Sequence, residues 1–570
     1  MKFNKYYENE LLALRKQGKQ FSENNPALAP FLSDKSADPD VERLIESFAF
    51  LTAKLQQRID DNIPEISHSF MNSIWPSCLK TQPPYSIVQF SADEAFKGVK
   101  QVIKKGQQLT FTKKNNKYQF KTTDDLLLYP VEVSDVKTSE KNDILTLELK
   151  ISSKKELKFD VIKPNKLRFY LSGKSKVSYL LYYLLLNNLQ STSLESSDDR
   201  PIDVDIKLSP SGINILDSMN DDKRLMSYSR LQHYFMLSDA YMFIDVDIKY
   251  LSSQNLKTSD LVLRCVIDLK GIDCPSVKKE NFSLNCIPVV NVFKSSVAPI
   301  TRDYKQSNYI LSLNGKNEEK HCIYQVNGVS LVDHNGVEKK CFPINEYNPN
   351  VSDESLVYET KVASSVDQNG IQFSIRFPLA KNAYPKFGEK VSIEVDAYHS
   401  LAHEELGIGD ISSKTDEQND KSYSYKNITF VTPPILAPIE DDQLWRLISN
   451  LNLRFSDIKN IEDIKSLIGV YNFADRHSSQ AKSLTNRVVS SLKRLEIKAK
   501  DRIHKRHVIR GQEITIYLKE SHFLNEGDIY IFGSVLNEIF QAMVEVNSFN
   551  LFKLVGNETG MVLTWPPRIN

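Results

Sequence analysis

The chain of 570 residues has few cysteines, and none of them is arranged for a metal site or a disulfide framework. The six are Cys78, Cys265, Cys274, Cys286, Cys322 and Cys341. They include no CxxC pair and have no regular spacing, so zinc-ribbon and disulfide-rich secreted classes are disfavoured. Buried thiols in a reducing compartment explain them best.

Long apolar runs are also missing. No stretch approaches eighteen uninterrupted apolar residues, and the densest, residues 179–186, ends at Asn187 and Asn188. Met1 leads directly into a polar amphipathic segment, without the apolar core or cleavage site of a secretory signal. We therefore expect a soluble cytoplasmic protein that does not insert into a membrane.

An excess of charge of one sign is absent too, because 73 basic and 72 acidic residues give a net charge of +1. This balance argues against a generally basic nucleic-acid binder. Residues 493–510 depart from it, with eight basic and two acidic side chains and a net charge of +6. A solvated linker is the first interpretation of this run, an acidic protein partner the second and nucleic acid the third, since no aromatic residues are interleaved for base stacking.

Motifs for catalysis are missing as well. Residues 169–175, FYLSGKS, end like a phosphate-binding loop, but Arg168 stands where that loop needs its first glycine. His399 and His403 are four residues apart, a spacing that on a helix brings two imidazoles to one metal, but no third ligand is identifiable. A hydrogen-bonded or solvated pair is favoured. No serine lies in a GxSxG elbow, so the sequence predicts no catalytic, cofactor-binding or metal-binding residue.

The clearest feature that is present is a long amphipathic helix, with Asp38 as N-cap and Pro39 at its first position. Its apolar side chains form one stripe roughly 120° wide, which predicts that the stripe faces a core. The stripe contains Val41, Leu44, Ile45, Phe48, Leu51, Leu55 and Ile59. Phe50 lies almost opposite it among charged residues, so burial of the stripe would leave this ring in water. Helices at residues 2–24 and from Pro64 complete a helical region at residues 1–80.

The remaining chain predicts a multidomain α+β protein. Short alternating runs indicate a β-rich domain with inserted helices at residues 83–290 and a second β-rich domain at 291–436. After a proline-rich boundary, residues 440–570 predict a C-terminal α+β domain. Its strand, helix, strand order permits a parallel pair with a right-handed crossover.

Ordered blocks of sequence resemble the TssF family, the baseplate wedge subunits of bacterial type VI secretion systems. The blocks include YYENELLALRKQGKQFSENNPALAPFL, DPDVERLIESFAFLTAKLQQRIDDNIPEI, LRFYLSGKSKVSYLLYYLLLNNL, SYSRLQHYFMLSDAYMFIDV, TPPILAPIEDDQLWRLISNLNL and RGQEITIYLKESHF. They cover about half of the chain and every predicted domain. Residues 191–222 and 318–424 do not align by eye.

The resemblance implies a structural protein rather than an enzyme. Two TssF copies would join one TssG, with TssK and TssE attached, and six such wedges would surround the VgrG hub of an inner-membrane-docked baseplate. We expect contacts to involve a helical bundle shared between subunits and, more weakly, the C-terminal surface. The candidate interface residues are Tyr7, Phe48, Phe50, Leu55, Trp445, Arg502, Lys505 and Arg506. A soluble enzyme or ligand-binding module built on the β-rich middle is the alternative.

Overall fold

The computed structural model contains helices at both ends of the chain and on the β-rich middle. It describes residues 2–24, 39–60, 64–96, 98–114, 116–154, 157–196, 201–202, 206–211, 223–248, 258–302, 308–314, 320–332, 336, 338–344, 357–364, 371–378, 389–415, 422–439, 441–451, 457–471, 473, 479–504, 507–545 and 547–567. The α-helices in these ranges are α1 (Lys2–Asn24), α2 (Pro39–Asp60), α3 (Pro64–Ile74), α4 (Phe159–Ile162), α5 (Ser175–Asn187), α6 (Lys223–Met236), α7 (Ala402–Glu405), α8 (Asp441–Leu451), α9 (Ile461–Tyr471), α10 (Ser479–Ser491) and α11 (Glu526–Ala542). The described residues thus contain eleven α-helices, and the predicted α+β class is confirmed.

The strands are mostly short and fall in the middle and C-terminal parts of the chain. They are β1 (Tyr85–Ala92), β2 (Gln101–Ile103), β3 (Gln108–Lys113), β4 (Asn116–Thr122), β5 (Leu126–Leu128), β6 (Val131–Lys141), β7 (Ile144–Ser153), β8 (Lys166–Leu171), β9 (Leu189–Ser196), β10 (Pro201–Ile202), β11 (Ile206–Pro210), β12 (Phe243–Ile248), β13 (Asp260–Asp268), β14 (Phe282–Leu284), β15 (Cys286–Val290), β16 (Phe293–Ser296), β17 (Ile300–Arg302), β18 (Tyr309–Ile310), β19 (His321–Val332), β20 (Glu338–Pro343), β21 (Val357–Ser364), β22 (Ile371–Arg376), β23 (Glu389–His399), β24 (Tyr423–Asn427), β25 (Leu492–His504), β26 (His507–Leu518), β27 (Asn550–Gly556) and β28 (Val562–Trp565).

The chain divides into two compact units. The first contains residues 1–79 together with 438–449, and the second contains residues 80–437 together with 450–570. The sequence placed residues 440–570 in one C-terminal domain, whereas most of α8 lies with the N-terminal helices. The reason is visible in the first unit, where His68 Nε2 on α3 lies 3.1 Å from the carbonyl oxygen of Ile439.

The described residues of the second unit form six sheets, and nearly all their strand pairs are antiparallel. Their strand orders are β24-β1-β15-β4-β3 (sheet A), β10-β9-β13-β7-β6 (sheet B), β11-β12-β8-β14 (sheet C), β16-β23-β19-β20-β21-β22-β18 with β17 paired to β23 (sheet D), β2-β5 (sheet E) and β25-β26-β27-β28 (sheet F). Strand β7 shows the expected alternation, because every second side chain from Leu145 to Ile151 is buried. The predicted parallel pair is present as β26 and β27, separated in sequence by α11.

One predicted boundary differs in the structure. Sheet D and its apolar core lie within residues 293–399, inside the stretch predicted as the second β-rich domain. The chain then returns to sheet A, where β24 pairs with β1 and Ala402, Leu406 and Ile411 join the core beneath that sheet. Residues 291–436 therefore contribute to two cores, that of sheet D and that of sheet A. Local alternation of apolar residues does not show which core a strand joins.

Helix α11 lies so close to α5 that one position admits only glycine. A Cβ atom on Gly527 would lie 2.1 Å from the backbone oxygen of Tyr179. The same end of α11 is fixed by Asn525, whose Oδ1 accepts from Asp528 N at 3.1 Å and whose Nδ2 donates to Lys176 O at 2.6 Å. Because both partners in this contact are backbone atoms, no side chain can rotate to make room for an added Cβ atom.

We expect Gly527→Ala to lower the free energy of unfolding by about 1–3 kcal/mol or more, because the added methyl overlaps backbone atoms. Gly469→Ala is the matched control, since this glycine lies in α9 with open space around its Cβ position. It should stabilise the protein by roughly 0.5–1 kcal/mol through helix propensity. Urea denaturation of both variants checks the pair, and equal midpoints would contradict the close contact.

A buried histidine joins sheet A to sheet D. The backbone nitrogen of His399 donates to Asn291 Oδ1 at 2.6 Å, and its ring lies 4.4 Å from His321 and 5.0 Å from Tyr118 between centroids. Burial, with a smaller contribution from His321, lowers the pKa of His399 to about 4. The folded protein therefore holds this imidazole neutral where an unfolded chain would bind a proton.

This pKa predicts a loss of stability in mild acid. Between pH 6.5 and 5 the unfolded chain binds more protons than the folded one, so the free energy of unfolding falls by about 2 kcal/mol through this group. Above pH 6.5 the contribution is fully present. We expect His399→Gln to remove this group's share of the slope in denaturation measured across that window, because glutamine does not bind a proton. A slope equal to that of the wild type would contradict the assignment.

Candidate protein interface

Helix α2 buries a different side from the one that its sequence indicates. Leu44 is 69% exposed, and Phe48 and Leu51 are each 59% exposed. The prediction that these three face a core is wrong. We call them the apolar side of α2. The side chains of Leu55 and Ile59, predicted in the same stripe, lie outside the described residues.

The side that α2 turns inward carries alanine. Ala49 and Ala53 are fully buried, and Ile45 is half-buried beside them. At about 100° per residue this side is centred roughly 130° from the apolar side. Helix α1 packs against α2, and Arg15 Nη2 on α1 lies 3.0 Å from Glu42 Oε2 on α2. Small side chains let helices approach closely, so the larger residues are displaced to the surface.

Two other candidate residues lie on α1 and α2. Phe50 is 48% exposed, and it projects away from both the buried side and the apolar side. Tyr7 on α1 is half-buried, whereas Leu12 and Phe21 of the same helix are exposed. Sequence reasoning missed Leu44, Leu51 and Leu12 as surface residues. The sequence did contain an indication of them: each helix has apolar residues on more than one side, and a helix cannot bury all of its sides.

Trp445 lies on the outer side of α8. Leu444 and Leu447 of this helix are fully buried, while Trp445 between them is exposed. The helix thus has one buried side and presents an aromatic ring on its surface. Trp445 remains a predicted contact.

The basic run is not a linker. Residues 492–504 and 507–518 form the antiparallel strands β25 and β26, paired from Leu492↔Leu518 to His504↔His507. Helix α10, which precedes them, ends at Ser491. Arg502 is exposed on β25, and Lys505 and Arg506 lie outside the described residues. The missed signal is the alternation of Leu495, Ile497 and Ala499 with charged residues, which is a strand pattern.

The sites considered for ligand chemistry have structural roles. Arg168, at the position where a phosphate loop needs glycine, lies in β8 and its Nε donates to Asp245 Oδ1 at 2.9 Å. His399 is held by Asn291, whereas His403 lies on the short helix α7, where its Nε2 is 3.7 Å from Glu404 Oε1. Among the described residues, no group of three or more histidine, cysteine, aspartate or glutamate side chains is placed to hold a metal. In the same part of the chain, no helix is long and apolar enough to cross a bilayer.

Comparisons with known proteins extend over the whole chain. A family model described as "Type VI secretion system, TssF" matches residues 1–570. Type VI secretion system component TssF1 of Pseudomonas aeruginosa is 23% identical over 628 aligned positions, which cover 98% of this chain and 97% of that protein.

Two solved structures share the fold. One is a cryo-electron microscopy structure of the type VI secretion system TssK-TssF-TssG baseplate subcomplex, in which a chain matches with a TM-score of 0.75 and 22% identity, covering 93% of this chain and 99% of that one. The other is the baseplate complex of the type VI secretion system, with a TM-score of 0.61 and 19% identity over 100% of this chain and 99% of the matched chain. The resemblance found in the sequence blocks is confirmed by the family match. The chain therefore belongs to the TssF family of the type VI secretion system, a family of structural components rather than enzymes.

Proposed function

We propose that this chain is a wedge subunit of a type VI secretion baseplate, where it binds TssG through its N-terminal helices. The proposed wedge has two copies of this chain for each TssG, with TssK and TssE attached, and wedges surround the VgrG hub to support the sheath and tube. Its place is the cytoplasmic face of the inner membrane, at the docked baseplate. Family membership and the fold shared with chains of the TssK-TssF-TssG subcomplex support the proposal.

The observation that carries the proposal is the apolar side of α2. Burying the exposed parts of Leu44, Phe48 and Leu51 would contribute roughly 3–6 kcal/mol before the entropy of association is subtracted. The spacing of these residues, i, i+4 and i+7, is that of a helix that enters a bundle with partner helices. Phe50 on another side of α2 permits contact with more than one neighbour. No feature of the described residues favours a ligand-binding module on the β-rich middle.

Charged substitutions on the apolar side of α2 should weaken binding to TssG. We expect the double substitution Leu44→Glu with Phe48→Glu to weaken co-purification with the cognate TssG by at least tenfold, because two carboxylates would be desolvated in the bundle. Far-UV circular dichroism should be unchanged, since both side chains are exposed in the chain alone. Val102→Glu, at an exposed valine of β2, is the control and should leave co-purification intact. Wild-type recovery of TssG with the double variant would remove this side of α2 from the interface.

Phe50→Asp tests the other exposed side of the same helix. The substitution should weaken co-purification with TssG while the secondary structure of the monomer is retained, because the ring is already half in water before binding. Because Phe50 and the apolar side point in different directions, the two variants report which sides of α2 contact partners. Equal recovery of TssG by Phe50→Asp and the unsubstituted chain would restrict the contact to the apolar side.

A further inference from the structure

Strands β25 and β26 extend beyond the sheet that holds them. They pair with each other along their whole length, but β27 pairs with β26 only over Gln512–Leu518. Residues 500–504 and 507–511 therefore form a two-stranded ribbon without a third strand among the described residues. We call this ribbon the basic arm. At about 3.3 Å per residue it is roughly 15–20 Å long.

The end of the basic arm exposes apolar side chains. Ile503 and Val508 are directly opposite each other across the two strands, and they are 76% and 67% exposed. Two-stranded ribbons are marginally stable in water. The Ile503–Val508 pair contributes the small energy of one cross-strand contact, and a surface that covered the pair would add the burial of its exposed apolar area.

The two ends of the hairpin differ in net charge. Its base is neutralised by ion pairs, and its far end is cationic. At the base, Lys500 and Lys553 both pair with Glu513, and these ammonium groups hold the pKa of the Glu513 carboxyl below its usual value. From 502 to 510 the sequence has four basic residues and no acidic one. Arg510 Nε does lie 3.7 Å from Asp501 Oδ1, but both side chains are largely in water, where such a pair contributes little.

We propose that the basic arm inserts its Ile503–Val508 end into an acidic surface with an apolar centre on TssG or TssK. The proposal rests on the proposed function for the presence of those subunits. Complementary charge around an apolar contact is the arrangement that gives a protein interface both specificity and affinity. Nucleic acid fits less well, because residues 499–511 contain no phenylalanine, tyrosine or tryptophan for base stacking. End-to-end pairing with a second copy would place like charges together.

Photo-crosslinking in the assembled complex tests this contact. Benzoylphenylalanine is placed at Val508 in the full chain, which is purified with its cognate TssG and TssK and irradiated at about 0.15 M salt. Val562, an exposed residue of β28 in the same sheet, carries the probe in the control. We expect an adduct from position 508 to TssG or TssK within a segment of net negative charge, and no such adduct from position 562. Arg502→Glu with Arg510→Glu should reduce its yield by about tenfold or more, as should a rise to about 0.5 M salt.

Several results would overturn the proposal. These are an intact complex that gives no adduct from position 508, an adduct whose yield is indifferent to the two charge reversals, an adduct that disappears with nuclease, and an adduct between two copies of this chain. Co-purification of the three proteins is measured before irradiation and tests the proposed function separately. Loss of that co-purification counts against the wedge assignment, whereas loss of the adduct alone counts against the arm.

Discussion

A helix can pack only one side closely against its neighbour, and in α2 that side is built from Ala49 and Ala53. The choice determines what remains on the surface. Once the alanines face inward, Leu44, Phe48 and Leu51 are directed away from the buried side, and Phe50 is left on a third side. The first unit therefore leaves these apolar side chains of α2 exposed, and soluble monomers rarely expose a large contiguous apolar patch.

The sequence predicted elements better than it predicted which side of them is buried. Strand β7 and the β26–α11–β27 order follow from alternation and helical spacing, and both are present. The inward side of α2 did not follow, because periodicity weighs large apolar residues more heavily than alanine, whereas close helix packing favours alanine. An apolar stripe that faces the core and one that faces another subunit have the same pattern in a single sequence. The sequence therefore does not tell which of the two a stripe is.

Contacts between residues that are far apart in the sequence explain the remaining differences between the predicted and the observed fold. Strand β24 pairs with β1 across more than 300 residues, and the backbone contact at Gly527 brings α11 against α5 across a similar separation. Local patterns carry no information about such pairings. The strand in the basic run was not predicted for another reason. Leu495, Ile497 and Ala499 alternate as in a strand, but the lysine and arginine residues between them are equally typical of a solvated linker.

The two proposed surfaces suit different stages of assembly. An apolar contact such as the one proposed for α2 is non-directional and weakly sensitive to salt, which suits a permanent subunit contact. A cationic arm of the kind proposed would act earlier and at longer range, because electrostatic attraction raises the rate of encounter and orients the partner before close contact. A chain with a net charge of only +1 gains such steering by concentrating charge in one projecting element. The ion pairs of Glu513 and Glu496 neutralise charge at the base of the hairpin, whereas Arg502 nearer its end is exposed.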